Sequence, residues 1–135
     1  MYNRILVPMS LEHGIGPSAL QIARRLLIEG GEIIALHIHE VAPGSVRAYL
    51  DEALVEKALE DSKQRLKDKI AAESDVQAVT LVGHAGRTIV DYSRETGIDC
   101  IVIGSHKPGL SDYFLGSTSA RVVRHALCAV HVLRT

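Results

Sequence analysis

The chain of 135 residues has no tryptophan, only two cysteines, and a formal net charge of −1. A near-neutral chain with no basic stripe interleaved with aromatics lacks the footprint of a nucleic-acid binder. Two cysteines, Cys100 and Cys128, form neither a C-x-x-C pair nor any metal-ligand spacing. Each sits in a short apolar run, which reads as a small hydrophobe in a reducing compartment. No apolar run approaches the ~20 residues that a membrane-spanning helix requires. Met1-Tyr2-Asn3-Arg4 leads straight into an apolar strand, without the apolar core and small-residue cleavage site of a secretory leader. The expectation is a cytoplasmic protein without membrane contact. The length suits one compact domain over 1–135 with a core of its own.

What the chain does have is an alternation of short apolar runs with amphipathic stretches. Ile5-Leu6-Val7 ends at Pro8 and reads as a fully buried strand. A turn with Gly14, Gly16 and Pro17 opens a helix carrying Leu20, Ile22, Ala23, Leu26 and Leu27, and Gly30-Gly31 is expected to stop it. A second strand follows within Glu32 to His39. Tyr49 to Glu73 is the longest helical pattern, with Leu50, Leu54, Ala58, Leu59, Ser62, Leu66 and Ile70 on one face. Val76 to Val82 is a strand, about Arg87 to Thr96 a helix, and Asp99 to Ile103 a strand. A glycine-bounded loop leads to a helix from about Ser117 to Ala126, and Ala129 to Leu133 closes the chain as a strand. Strands alternating with helices predict an α/β fold, a doubly wound five-stranded parallel sheet covered on both faces. In the common order 3-2-1-4-5, the winding reverses between the first and fourth strands, and ligands bind beyond the strand ends there. Pro8-Met9-Ser10 and Gly104-Ser105-His106 meet at that point.

Gly104 and Gly116 bound the loop between the fourth strand and the last helix, and Gly116-Ser117-Thr118-Ser119 is small and hydroxylated. Free N–H groups at a helix start carry partial positive charge and bind phosphate. Glycine lets the main chain approach a ligand and take φ > 0 where needed. The hydroxyls of Ser117, Thr118 and Ser119 are further donors. The same residues equally make a plain helix cap. Lys107 is either a solvated lysine or a point charge on the phosphates, and His106 either an exposed loop residue or a contact to phosphate or ribose. His37 and His39 share one strand face but lack a third ligand at suitable spacing, so no metal site is assigned. No catalytic residue is assigned either. Ser117 has no His–Asp arrangement around it, no G-x4-G-K-S/T loop occurs, and no acid is placed to hold magnesium.

The pieces Ile5-Leu6-Val7-Pro8, Ala35-Leu36-His37-Ile38, Asp99-Cys100-Ile101-Val102-Ile103-Gly104-Ser105-His106, Leu115-Gly116-Ser117 and Arg121 to Leu133, in this order, resemble the universal stress protein family over essentially the whole chain. Members that bind ATP carry G-x2-G-x9-G-S/T. Gly104 matches its first glycine and Gly116-Ser117 its last pair, whereas Lys107-Pro108 replaces the middle glycine and the span to Gly116 is one residue short. A subgroup of small bacterial members shares that replacement, which implies retained ATP binding. Ser10 stands where the family usually has an aspartate at the adenine and ribose end, and serine brings no negative charge.

The resemblance implies a nucleotide-binding regulatory module of the stress response that takes ATP, AMP or ADP and hydrolyses it slowly or not at all. Adenine would lie against Pro8, Met9, Ser10 and the Ile38 main chain. The phosphates, with any magnesium they carry, would lie on Ile103-Gly104, His106, Lys107, Gly116, Ser117 and Thr118. The alternative is a dimeric interaction protein that no longer uses nucleotide. Its downstream protein partner is not legible. Residues 129–133 form a short apolar sheet edge, a pairing hazard that a second copy would cover about a two-fold axis; the resemblance implies the same homodimer.

Overall fold

The computed structural model describes residues 1–12, 16–41, 44, 49, 51–105 and 115–134. Its elements alternate as β1 (Tyr2–Pro8), α1 (Gly16–Leu26), β2 (Leu27–His39), α2 (Glu52–Lys69), β3 (Val76–Val82), α3 (Ala85–Glu95), β4 (Cys100–Gly104), α4 (Ser117–His125) and β5 (Ala129–Leu133). The strands form one parallel five-stranded sheet in the order β3-β2-β1-β4-β5. Fold class and strand order are those that the alternation of runs predicts.

Successive side chains of a strand point to opposite faces, and here both faces are covered. Ile5, Val7, Ile33, Ala35, Cys100 and Val102 pack with Ala19, Leu20 and Ala23 of α1 and with Leu66 and Ile70 at the end of α2. Leu6, Ile34, Leu36, Ile38, Ile101 and Ile103 pack on the other side with Ile89 and Val90 of α3 and Val122 of α4. This is why the central strands carry unbroken apolar runs. Cys100 is buried within the first cluster, and burial pushes its thiol up to about 11. Cys128 is half-buried and shifted in the same direction by burial, so neither thiol is poised to react at neutral pH.

Two boundaries differ from the sequence expectation. Gly30-Gly31 does not stop α1. The helix ends at Leu26, and β2 already begins at Leu27. The step from Tyr2 to Arg4 on β1 faces the step from Leu27 to Glu32 on β2, so the ladder bulges there. Gly30 sits at φ 81°, a backbone state that glycine adopts without strain. A Cβ on Gly31 would fall 2.8 Å from the carbonyl oxygen of Asn3. The glycines thus serve the bulge rather than a helix terminus.

The second difference lies in α2. It starts at Glu52 rather than Tyr49, because the Asp51 carboxylate accepts the Ala53 amide at 2.9 Å and caps the helix. Its apolar face is buried only from Ser62 onward: Leu54 is 63% exposed and Ala58 is exposed. The turns before Ser62 hold no buried residue. Leu50 lies outside the described residues.

Candidate nucleotide site

The site begins where β1 stops. β1 is registered against β2 as far as Pro8↔Leu36, and the Met9 amide donates to the Leu36 carbonyl at 2.8 Å. The main-chain groups of Ile38 point to the same side as those of Leu36, by the two-residue period of the pleat. No β1 residue is registered against Ile38, so its peptide faces the gap that β1 leaves. On the other side of the gap, β1 pairs with β4 only at Ile5↔Cys100 and Leu6↔Ile101. By that register Ile103 lies level with Pro8, the last residue of β1, and Gly104 extends past it. Pro8, Ser10, Ile38, Ile103 and Gly104 thus lie at or just beyond the strand ends where the order reverses.

Met9 is different. Its side chain is buried in the core beside Ala19 and Leu20, and its carbonyl oxygen accepts the His37 Nδ1–H at 3.0 Å. It anchors the strand exit and presents no side chain to a ligand. Ser10 is exposed. Its hydroxyl accepts the Glu12 amide at 3.2 Å, and its carbonyl accepts the Lys69 ammonium at 2.7 Å. The hydroxyl therefore already shapes its own turn, and its proton is the part left to donate.

α4 starts beside the exit of β4, where the strand order reverses. Gly116 is the N-cap residue at φ −57° and ψ 153°, and no side chain caps the helix. The amides of Ser117, Thr118 and Ser119 consequently have no intrahelical partner. Ser117 is exposed and Thr118 half-buried. These two supply free N–H groups and hydroxyls at the positive end of the helix dipole.

Two expected donors are spent on structure. The Gly116 amide donates to the Ser105 carbonyl at 2.8 Å, so it closes the loop instead of facing a phosphate. The buried Ser119 hydroxyl donates to the Gly104 carbonyl, a group that β1 would have engaged had it continued. That bond ties the exit of β4 to the first turn of α4. Neither Gly104 nor Gly116 has a positive φ, so close approach rather than backbone freedom is what glycine offers at both. His106 and Lys107 lie outside the described residues.

Sequence reading missed the braces behind the site. Burial lowers the pKa of His37, opposed by its bond to Met9 and reinforced by the nearby charges of His39, Arg65 and Lys69. A neutral ring carrying its proton on Nδ1 is the donor that the Met9 carbonyl requires. Burial likewise lowers Lys69, with Arg65 adding to the effect. His39 Nδ1 lies 2.8 Å from the buried Ser62 hydroxyl of α2. The two histidines thus have separate protein partners. Among the described residues no three His, Cys, Asp or Glu side chains converge as a metal site. No described helix is long and apolar enough to cross a membrane.

The sequence model of the universal stress protein family matches residues 1–134. A universal stress protein G from Shigella flexneri is 30% identical over 145 aligned positions, covering 99% of this chain and 100% of that protein. Among solved structures, the universal stress protein UspA from Lactobacillus plantarum superposes with a TM-score of 0.70 at 26% identity, over 98% of each chain. A family protein from Arabidopsis thaliana, solved with AMP bound, shares the fold at a TM-score of 0.60 and 17% identity, over 98% of this chain and 91% of that one.

Proposed function

The chain belongs to the universal stress protein family, and on that premise we propose that it is an adenine-nucleotide-binding regulatory module that holds ATP, AMP or ADP without turning it over appreciably. The observation that carries this reading is the start of α4, without a side-chain cap and tied to the exit of β4, where the strand order reverses. The Ser117 and Thr118 amides and hydroxyls fit a phosphate, which accepts hydrogen bonds through several oxygens and carries the charge that a helix start favours. The Ile38 peptide offers a donor and an acceptor to the edge of a purine, as main chain does in many base sites. Pro8 and Ile103 supply apolar walls, and Ser10 stands at the ribose end. His106 and Lys107 would close over the phosphates from the loop. The AMP held by the Arabidopsis relative supports the class of ligand.

Binding without turnover follows from the residues at hand. Among the described residues no hydrogen bond joins the Ser117 hydroxyl to a base, and His39 is already paired with Ser62 between β2 and α2. Magnesium, where present, would arrive on the phosphates. The protein would then act by what it recruits in each nucleotide state. Its functional unit would be a cytoplasmic homodimer joined through the open edge of β5, residues 129–133, since the edge is short, apolar and unpaired among the described strands. Sedimentation at tens of micromolar, the order that a stable dimer survives, checks the dimer: a monomer only would reject it.

The test of the nucleotide reading is a thermal melt with and without ATP and magnesium. A ligand of the native state at about 100 times its Kd stabilises by about 2.7 kcal/mol, and that rise is expected for ATP or for AMP. Identical melting temperatures at millimolar ATP, ADP and AMP would leave the nucleotide-independent interaction protein as the function.

A further inference from the structure

A second concentration of positive charge lies away from the crevice, along the outer surface of α3 and α4. Arg87, Val90, Asp91 and Arg94 recur on α3 at the spacing that lines one helix face, and Arg121 and His125 do so on α4. Together they line an open surface groove of about 160 Å³. Val90, 5% exposed, forms an apolar floor. The one carboxylate in the lining, Asp91, lies 3.6 Å from Arg94 on its own helix. Arg87 and Arg121 have no carboxylate within ion-pair distance among the described residues.

The arrangement is held, not merely adjacent. Arg121 lays its aliphatic stem over Gly86, where a Cβ would fall 2.7 Å from Arg121 Cδ and 3.1 Å from its Cβ. Side chain and glycine are packed as a pair, so the guanidinium is delivered to the groove with part of its freedom already removed. Arg87 lies in the first turn of α3, whose positive dipole end adds to the charge there, while Arg121 lies mid-helix on α4. Three arginines gathered against one carboxylate repel one another, and a polyanion relieves that repulsion.

We propose that this groove is a second anion site, separate from the nucleotide crevice, and that it takes a short linear chain of linked phosphates. Length supports a chain over a single phosphate. Arg87 and Arg94 stand two turns apart, about 10 Å along the helix, with Arg121 and His125 spaced alongside them. An anion with its charge spread over that distance meets every cation, whereas a lone phosphate meets those at one end. Arginine forks suit phosphate oxygens in pairs.

The test is amide chemical-shift mapping of the full chain titrated with inorganic tripolyphosphate. The expected result is saturable shifts at residues 87–94 and 121–125. They persist in Ser117→Pro, which removes an amide of the crevice, and weaken roughly tenfold or more in the Arg87→Gln/Arg94→Gln double variant. Both arginines are exposed, so that variant keeps the native spectrum elsewhere; Arg121→Gln gives an independent reading if it does not. Shifts confined to residues 116–118 would place the anion in the crevice and overturn the second site. Shifts that do not saturate, or that survive loss of the groove arginines, would mean an adventitious ion only. Failure of the melt experiment with nucleotide leaves this test intact, because its signals come from different amides.

Discussion

Replacing Ser117 by proline isolates the main-chain amide from everything else at the start of α4. Ser117 is the first helical residue, and its N–H has no partner within the helix. Proline is favoured at that position because the missing N–H breaks no helical bond and its φ is already helical. The residue before a proline must be extended, and Gly116 at φ −57° and ψ 153° already is. The Ser117 side chain is exposed, so proline displaces little there. The unliganded melting temperature should therefore move by no more than an exposed substitution moves it, within about 0.5 kcal/mol. Nucleotide binding should respond differently. A hydrogen bond to a charged group contributes about 1.5–3 kcal/mol, so losing the amide weakens ATP or AMP by roughly 10- to 100-fold. Isothermal titration calorimetry of Ser117→Pro beside Ser117→Ala reads the two contributions apart, since alanine removes the hydroxyl and keeps the amide. The proline variant should be the weaker binder. Wild-type affinity in Ser117→Pro, with the loss appearing only in Ser117→Ala, would refute the assignment of phosphate to the main chain.

Ser119→Ala removes the donor that satisfies the Gly104 carbonyl; the cost of an unmet buried polar group, about 1–3 kcal/mol, should lower the melting temperature by roughly 3–10 °C, and an unchanged melt would show that the carbonyl finds another donor. Gly31→Ala puts a Cβ against the Asn3 backbone at 2.8 Å and should cost about 1–3 kcal/mol, the usual range for overpacking, read from chemical denaturation; a neutral result would mean that the bulge of β2 yields freely. Asp99 should steepen the acid side of the stability curve. Burial works to raise its pKa, but the Asn3 and Arg4 amides at 2.8 and 2.9 Å overcome this and hold it below the ordinary value. A depressed carboxylate adds stability above its unfolded pKa of about 3.9, and that stability disappears as pH falls through the folded value. Asp99→Ala should accordingly lose stability at neutral pH and lose less of it on acidification than wild type; parallel curves would deny the carboxylate its role.

Most of the architecture was legible because it follows from local pattern. Ile5-Leu6-Val7 and Ile101-Val102-Ile103 alternate between two buried faces, so their runs are continuous, and only a doubly covered parallel sheet buries such runs. Crossover handedness and strand order then brought Pro8, Ser10 and Gly104 to the point where the order reverses. What escaped reading depended on partners distant in the chain. Gly30-Gly31 has the composition of a helix stop, and only the register against Asn3 and Arg4 reveals a bulge. How far burial extends along α2 depends on what packs against it, which the helix's own periodicity does not encode. Lys69 reaches Ser10 across 59 positions and His37 reaches Met9 across 28, and nothing local in either residue signals those bonds. The hydroxyls of Ser117, Thr118 and Ser119 look equivalent in sequence. The helix leaves the first exposed and buries the third against Gly104.

The central claim, that the free amides of the first turn of α4 hold the phosphates of an adenine nucleotide, is tested most directly by residue-resolved amide hydrogen exchange with and without saturating ATP. The account predicts that exchange at Ser117 and Thr118 slows on adding ATP, while the Gly116 amide, already bonded to Ser105, changes little. Unaltered exchange at both residues, with the nucleotide bound or not, would contradict it.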